Sequence, residues 1–137
     1  MNAKIIGRLL IDIMNVQNIQ PKMFEGTSVL RISLGQAKEC FDVDLSKKAE
    51  LNLTTQFPFE HTSLCFTVAL LQKNLYSPDV PLLDEAYVTL DDLIRETSNH
   101  HGPVIKPMYL RKGIRDKKKP VESITVKFAV QLFDANV

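Results

Sequence analysis

Few residues in this chain have the types and spacing that chemistry requires. His100 and His101 are adjacent in SNHHGP, so on a strand they would point to opposite faces and could not share a metal. Cys40 and Cys65 make no CxxC spacing, which excludes a zinc ribbon and a thioredoxin-like centre. They read as two reduced thiols, with nothing basic beside either to lower its pKa. Asp91 and Asp92 fit a helix cap better than an acid–base pair. The five glycines are scattered and form no phosphate loop, and no serine has a nucleophile-elbow context. The sequence therefore predicts no enzyme, no metal and no cofactor.

What remains is charge. The 137 residues carry 17 Lys+Arg against 16 Asp+Glu, a net +1. A near-neutral body with few aromatics argues against a nucleic-acid partner. The segment RKGIRDKKKPVE holds six basic residues (Arg111, Lys112, Arg115, Lys117, Lys118, Lys119) against Asp116 and Glu122, a local +4 on a slightly acidic remainder.

The elements that would position this run follow from period-two alternation. In SITVKFAVQLF, Ile124, Val126, Phe128, Val130 and Leu132 share one face. LNLTTQFPF sets Leu51, Leu53, Phe57 and Phe59 on one parity, and Pro58 marks an edge strand or a strand end. SLCFTVAL turns Leu64, Phe66, Val68 and Leu70 inward, leaving Cys65, Thr67 and Ala69 outside. Leu30, Ile32 and Leu34, then Phe41, Val43 and Leu45, and Ala86, Val88 and Leu90 repeat the pattern, and a short extended piece ends in Met108, Tyr109 and Leu110. GRLLIDIMNV, apolar on both parities at its start, reads as a central strand. One short helix, capped by Asp91 or Asp92, runs through Leu93–Glu96 and stops near Ser98 and Asn99. The expected fold is all-β: an eight-stranded antiparallel β-sandwich of Greek-key type with one short helix, in a single domain spanning residues 1–137.

This order of features resembles the C2 domain. GRLLIDIMNVQNIQ looks like that family's first strand and loop, and SVLRISLG like its second strand. LNLTTQFPF followed by SLCFTVALLQKN resembles the strand with two spaced aromatics and the next strand entering a long loop. DEAYVTLDDL resembles the strand and short helix after it. A chain that opens on GRLLIDI and closes on SITVKFAVQLF is similar to the second topological class, seen in novel protein kinases C and phospholipases. Calcium-binding members carry acidic ligands on the first and third loops, because a hard dication needs many oxygens and carboxylates to neutralise it. Here the first loop, QNIQPKMFEGT, has Glu25 alone, and Gln72 and Asn74 stand where the leading acids would be. Asp79, Asp84 and Glu85 come too late in the third loop. The resemblance therefore implies a calcium-independent member.

If consecutive strands are antiparallel, the connections at residues 17–27, 46–50, 72–84 and 111–122 share one end. That would gather Lys47, Lys48, Arg115, Lys117, Lys118 and Lys119 beside the apolar tips Met23, Phe24, Leu75 and Tyr76. The candidate contact residues are thus Phe24, Lys47, Lys48, Tyr76, Arg115, Lys117, Lys118 and Lys119. The leading expectation is a protein partner and a scaffolding role. The alternatives are an anionic phospholipid membrane or a phosphorylated peptide met by the basic loop. At about 1 kcal/mol per basic residue near an anionic leaflet, four net charges give roughly 4 kcal/mol, near millimolar affinity. The expected setting is cytoplasmic, peripheral at a membrane or on a cytoskeletal assembly. The chain closes on DANV without a stop signature, as the N-terminal module of a longer protein would. Nothing in the sequence sets an oligomeric state.

Overall fold

The computed structural model describes residues 4–18, 28–44, 50–73, 80–81, 83–110 and 121–133. Within them are nine strands and a helix: β1 (Gly7–Gln17), β2 (Ser28–Leu34), β3 (Ala37–Val43), β4 (Glu50–Phe59), β5 (Cys65–Gln72), β6 (Val80–Pro81), β7 (Ala86–Thr89), α1 (Leu90–Asn99), β8 (Val104–Tyr109) and β9 (Ser123–Leu132). One antiparallel sheet has the order β4-β1-β9-β8; the other runs β3-β2-β5, with β6 and β7 sharing the far edge of β5. The strand beyond the eight expected is β6, two residues long, which pairs Pro81 with Leu71 and Val80 with Gln72.

Alternation sorts the side chains much as read. Leu9, Ile11 and Ile13 of β1, Phe66, Val68 and Leu70 of β5, and Ile124, Val126 and Phe128 of β9 fill the space between the sheets. The Phe66 and Phe128 rings meet edge to face, 5.1 Å between centroids, and join the two sheets. Thr55 of β4 donates its hydroxyl to Glu39 of β3, linking the edges of opposite sheets.

Three assignments change. Leu132 has the inward parity of β9 but is 57% exposed, four residues beyond Phe128, the last β9 residue that β8 pairs. Ala69, assigned outside, is 2% exposed and forms a small second cluster with Val29 and Leu71 on the outer face of the β3-β2-β5 sheet. β1 is central, between β4 and β9, yet Leu10 on its outer side is 38% exposed, so that face is bare.

Both outer edges of the four-stranded sheet carry a proline. Pro58 lies on edge strand β4, as expected. On β8 the Leu110 N–H donates to the Glu122 carbonyl at 3.0 Å, which sets the phase of the ladder. Even-numbered N–H groups of β8 then face β9, and residues 105, 107 and 109 face away. Pro107 therefore removes a donor from the open edge, the place where a strand tolerates proline.

The helix cap is Thr89, not Asp91 or Asp92. Its hydroxyl accepts from the Asp92 N–H at 3.2 Å, and the helix runs ten residues from Leu90. Asp91 and Asp92 sit in the first turn, where carboxylates complement the helix dipole. His101 takes a left-handed φ of 54° just past the helix, with the His101 N–H on the Ser98 carbonyl and the Gly102 N–H on the Thr97 carbonyl. That is a Schellman stop, so SNHHGP ends a helix. Thr89→Ala should cost about 1 kcal/mol, read as a drop in the urea midpoint at unchanged slope. An unchanged midpoint would mean that the hydroxyl does not hold the helix start.

Strand register also separates the cysteines. Cys40 lies level with Arg31 and Ala69, and Cys65 is four residues further along β5. Two strand spacings and four residue rises make roughly 16 Å, far beyond the ~7 Å Cα separation a disulfide tolerates. Neither cysteine is in a disulfide.

Candidate functional site at the shared loop end

The strand ends that flank the connections at residues 17–27, 46–50, 72–84 and 111–122 come together. In one sheet Gln17 pairs with Ser123, Asn15 with Glu50, and Tyr109 with Ser123. In the other, Ser28 pairs with both Val43 and Gln72, and Gln72 with Val80. The connections after β1, β3, β5 and β8 therefore leave the same end of the sandwich, as antiparallel alternation predicts. Phe24, Lys47, Lys48, Asn74, Tyr76, Arg115, Lys117, Lys118 and Lys119 lie outside the described residues. Gln72 is described: it is the last residue of β5 and half-buried.

Several contacts define the base of this end. The Asn18 side-chain amide donates to the Val121 carbonyl at 3.1 Å, tying the first connection to the last. Glu122, grouped by sequence with the basic loop, is instead buried where β8 and β9 join. Directly after Gln72, the Lys73 ammonium sits 3.1 Å from an Asp42 carboxylate oxygen. The pair is well exposed and adds little stability, but it engages the Asp42 carboxylate beside the mouth of the third loop. Glu85 is drawn away altogether, because its carboxylate holds Arg31 at 2.6 Å on the outer sheet face. Arg31 is level with Ala69, three residues below Gln72.

Sequence reasoning missed two grooves on the other flank. One, of about 320 Å³, lies where α1 meets β9 and is lined by Ile94, Thr97, Ser98, Pro103, Val130 and Leu132 among others. A second, about 250 Å³, crosses the outer sheet face past Leu10, Asp12, Thr54 and Lys127. Their residues come from distant segments, so no local motif announces them. His100, His101, Asp91 and Asp92 are accounted for by the ends of α1.

No family model matches the sequence, and no curated protein matches it. Solved structures do match in shape. A structure of two tandem C2 domains of extended synaptotagmin 2 superposes with a TM-score of 0.67 at 13% identity, over 93% of this chain and 40% of that one. The chain thus spans less than half of that relative. A C2 domain-containing protein from a putative elicitor-responsive gene matches at TM-score 0.69 and 11% identity, over 98% and 96% of the two chains. Human GIVD cytosolic phospholipase A2 matches at 0.68 and 9%, over 98% of this chain and 16% of the enzyme. Two antiparallel sheets in this order, one short helix and these neighbours give the chain the C2-domain fold.

Proposed function

We propose that the chain is a calcium-independent, non-catalytic C2-type interaction module that scaffolds a protein partner within a longer protein. One observation carries the calcium independence. The strand end leading into the third loop is Gln72, a neutral amide, and Lys73 beside it already neutralises Asp42. A calcium ion needs six to eight oxygens with carboxylates to balance its charge, and here the strand end offers an amide and a carboxylate already paired with an ammonium. Extended synaptotagmin 2, by contrast, is also solved with calcium bound.

A second reading, binding to anionic phospholipid through Phe24, Lys47, Lys48, Tyr76, Arg115, Lys117, Lys118 and Lys119, draws support from the register. Strand ends that converge as these do bring four connections to one end, including the +4 segment. No helix among the described residues is long and apolar enough to cross a membrane, so any membrane contact by these elements would be peripheral.

One set of measurements separates the readings. Calorimetric titration should show no calcium binding up to about 1 mM, weaker than extracellular calcium modules; binding near 10 µM would sink calcium independence. Affinity capture in chelator should recover a partner that survives 0.5 M salt only if the contact is largely non-ionic (screening length about 4–5 Å); recovery of none above control counts against scaffolding. Co-sedimentation with phosphatidylserine vesicles decides the membrane reading. It predicts pelleting that ignores chelator, fades with salt, and falls at least ~tenfold when Lys117, Lys118 and Lys119 are each changed to Glu. Pelleting unchanged by that triple substitution excludes it.

A further inference from the structure

β8 stops pairing before β9 ends. The last pair of that ladder is Val104 with Phe128, whereas β1 follows β9 on its other side as far as Leu132, opposite Gly7. The two ladders also fix which way each β9 residue turns its main chain. The Leu110 N–H on the Glu122 carbonyl puts the even-numbered groups of β9 toward β8. The Phe133 N–H, 2.9 Å from the Ile6 carbonyl, puts the odd-numbered ones toward β1. Val130 and Leu132 therefore each turn an N–H and a carbonyl to the side that β8 has left. The residues leading into β8 supply no donor there, because the Gly102 N–H is spent on the Thr97 carbonyl and Pro103 has none. Among the described residues no hydrogen bond reaches these groups.

That vacated side is the 320 Å³ groove. α1 walls it with Ile94, Thr97 and Ser98, Pro103 stands beside them, β9 lines it with Val130 and Leu132, and no charged residue takes part. Asp91 is exposed and one turn before Ile94 on the same helix face. Asp92 is held by Arg95 and Glu96 by Lys106, whereas no ion pair among the described residues holds Asp91. The other sheet edges are guarded against added strands. β4 carries Pro58 and the left-handed Asn52, β8 carries Pro107, β3 exposes Lys38 and Asp42, and β7 is four residues long. Residues 129–132 contain neither proline nor charge.

We propose that this gap takes an extended peptide of a protein partner, added as a short strand to residues 130–132, with an apolar side chain in the groove and a basic one toward Asp91. The inference rests on the scaffolding reading, for which it supplies the contact. Open main-chain groups beside an uncharged wall select a peptide, because a strand pairs them and an acyl chain leaves them without partners. Asp91 would also repel an anionic leaflet. Only Val130 and Leu132 can pair, so one isolated segment binds weakly, with a Kd of about 0.1–1 mM.

The probe is the capped heptapeptide Ac-KVTVTVK-NH2, titrated to about 5 mM, past that Kd, into the isotope-labelled chain while its amide resonances are followed. The Val130 and Leu132 amides should shift together and saturate. Alternate N–H groups of a strand face one edge. N-methylating one alternate set of the peptide's nitrogens should therefore weaken binding at least ~tenfold, and methylating the other set less than about twofold. Leu132→Pro removes a donor that β1 does not use and should cost at least ~tenfold, against about threefold or less for Leu132→Ala, which keeps it. Asp91→Arg should weaken binding severalfold, and circular dichroism confirms that each variant is folded. No saturable shift at these amides, equal sensitivity to the two methylated sets, or Leu132→Pro binding as well as Leu132→Ala overturns the proposal. Amides that shift with chain concentration alone would give the edge to a second copy and overturn it too. A partner captured equally by the wild-type and Leu132→Pro chains overturns this site and leaves scaffolding intact. Capture of no partner, with the peptide binding as expected, does the reverse.

Discussion

Phe128→Ala should lower the free energy of unfolding by about 3–5 kcal/mol, the largest loss expected from any single truncation in the core. The ring is fully buried on β9 and meets Phe66 of the opposite sheet edge to face at 5.1 Å. Truncation removes the apolar area of one ring, the aromatic contact of both, and the wedge that keeps two central strands apart. Small domains have only about 5–15 kcal/mol in total, so a substantial share of the stability goes with it. Phe128→Leu, which keeps most of the volume, should cost less than about 1.5 kcal/mol. Urea denaturation of the pair reads the difference. A Phe128→Ala loss below about 1.5 kcal/mol would mean that the sheets collapse freely onto the cavity, and that the two rings are not the link between them.

Gly7→Val should cost about 2–3 kcal/mol by the opposite route, overfilling. A Cβ at residue 7 would lie 2.6 Å from Cζ of Phe59 and 2.7 Å from the Gln131 carbonyl oxygen. The ring alone could turn aside, but the carbonyl belongs to the β1–β9 ladder, where Gly7 pairs with Leu132. Either the ladder opens at its end or Phe59, 1% exposed, leaves its place. Gly7→Ala should lose less with the same sign. Pairing each change with Phe59→Leu in a double-mutant cycle separates the ring's share from the backbone's. A Gly7→Val chain with a wild-type urea midpoint would show that β1 and β9 do not approach as closely as this.

What could be read in advance was whatever repeats every two residues. Burial of Ile124, Val126 and Phe128, the edge position of Pro58 and the central place of β1 all followed from parity and from the missing donor of proline. Parity names the side a residue faces, not whether anything covers it. Leu132 and Ala69 were therefore misjudged in opposite directions. The start of α1 was obscured because Leu90 fits both patterns: it continues Ala86 and Val88 at period two, and begins Leu90, Leu93 and Thr97 at helical period. The end was legible: the expected stop near Ser98 and Asn99 is where α1 finishes. At the loop end, topology was legible because antiparallel alternation dictates it. The Lys73–Asp42 pair was not, because its partners are 31 residues apart in sequence. The groove under α1 was invisible for the same reason.

The adjacency of β1 and β9 also has a mechanical side. Because Ile6 and Phe133 leave the sandwich side by side, a tension applied through them pulls their two strands apart from one end, Gly7 from Leu132 first. The ladder bonds then bear the load one after another, as a zipper does, rather than together in shear. The sheet that forms the centre of the fold is thus also where a pull on the flanking chain opens it at low force, while the four loops at the far end carry none of the strain until the zipper has run its length.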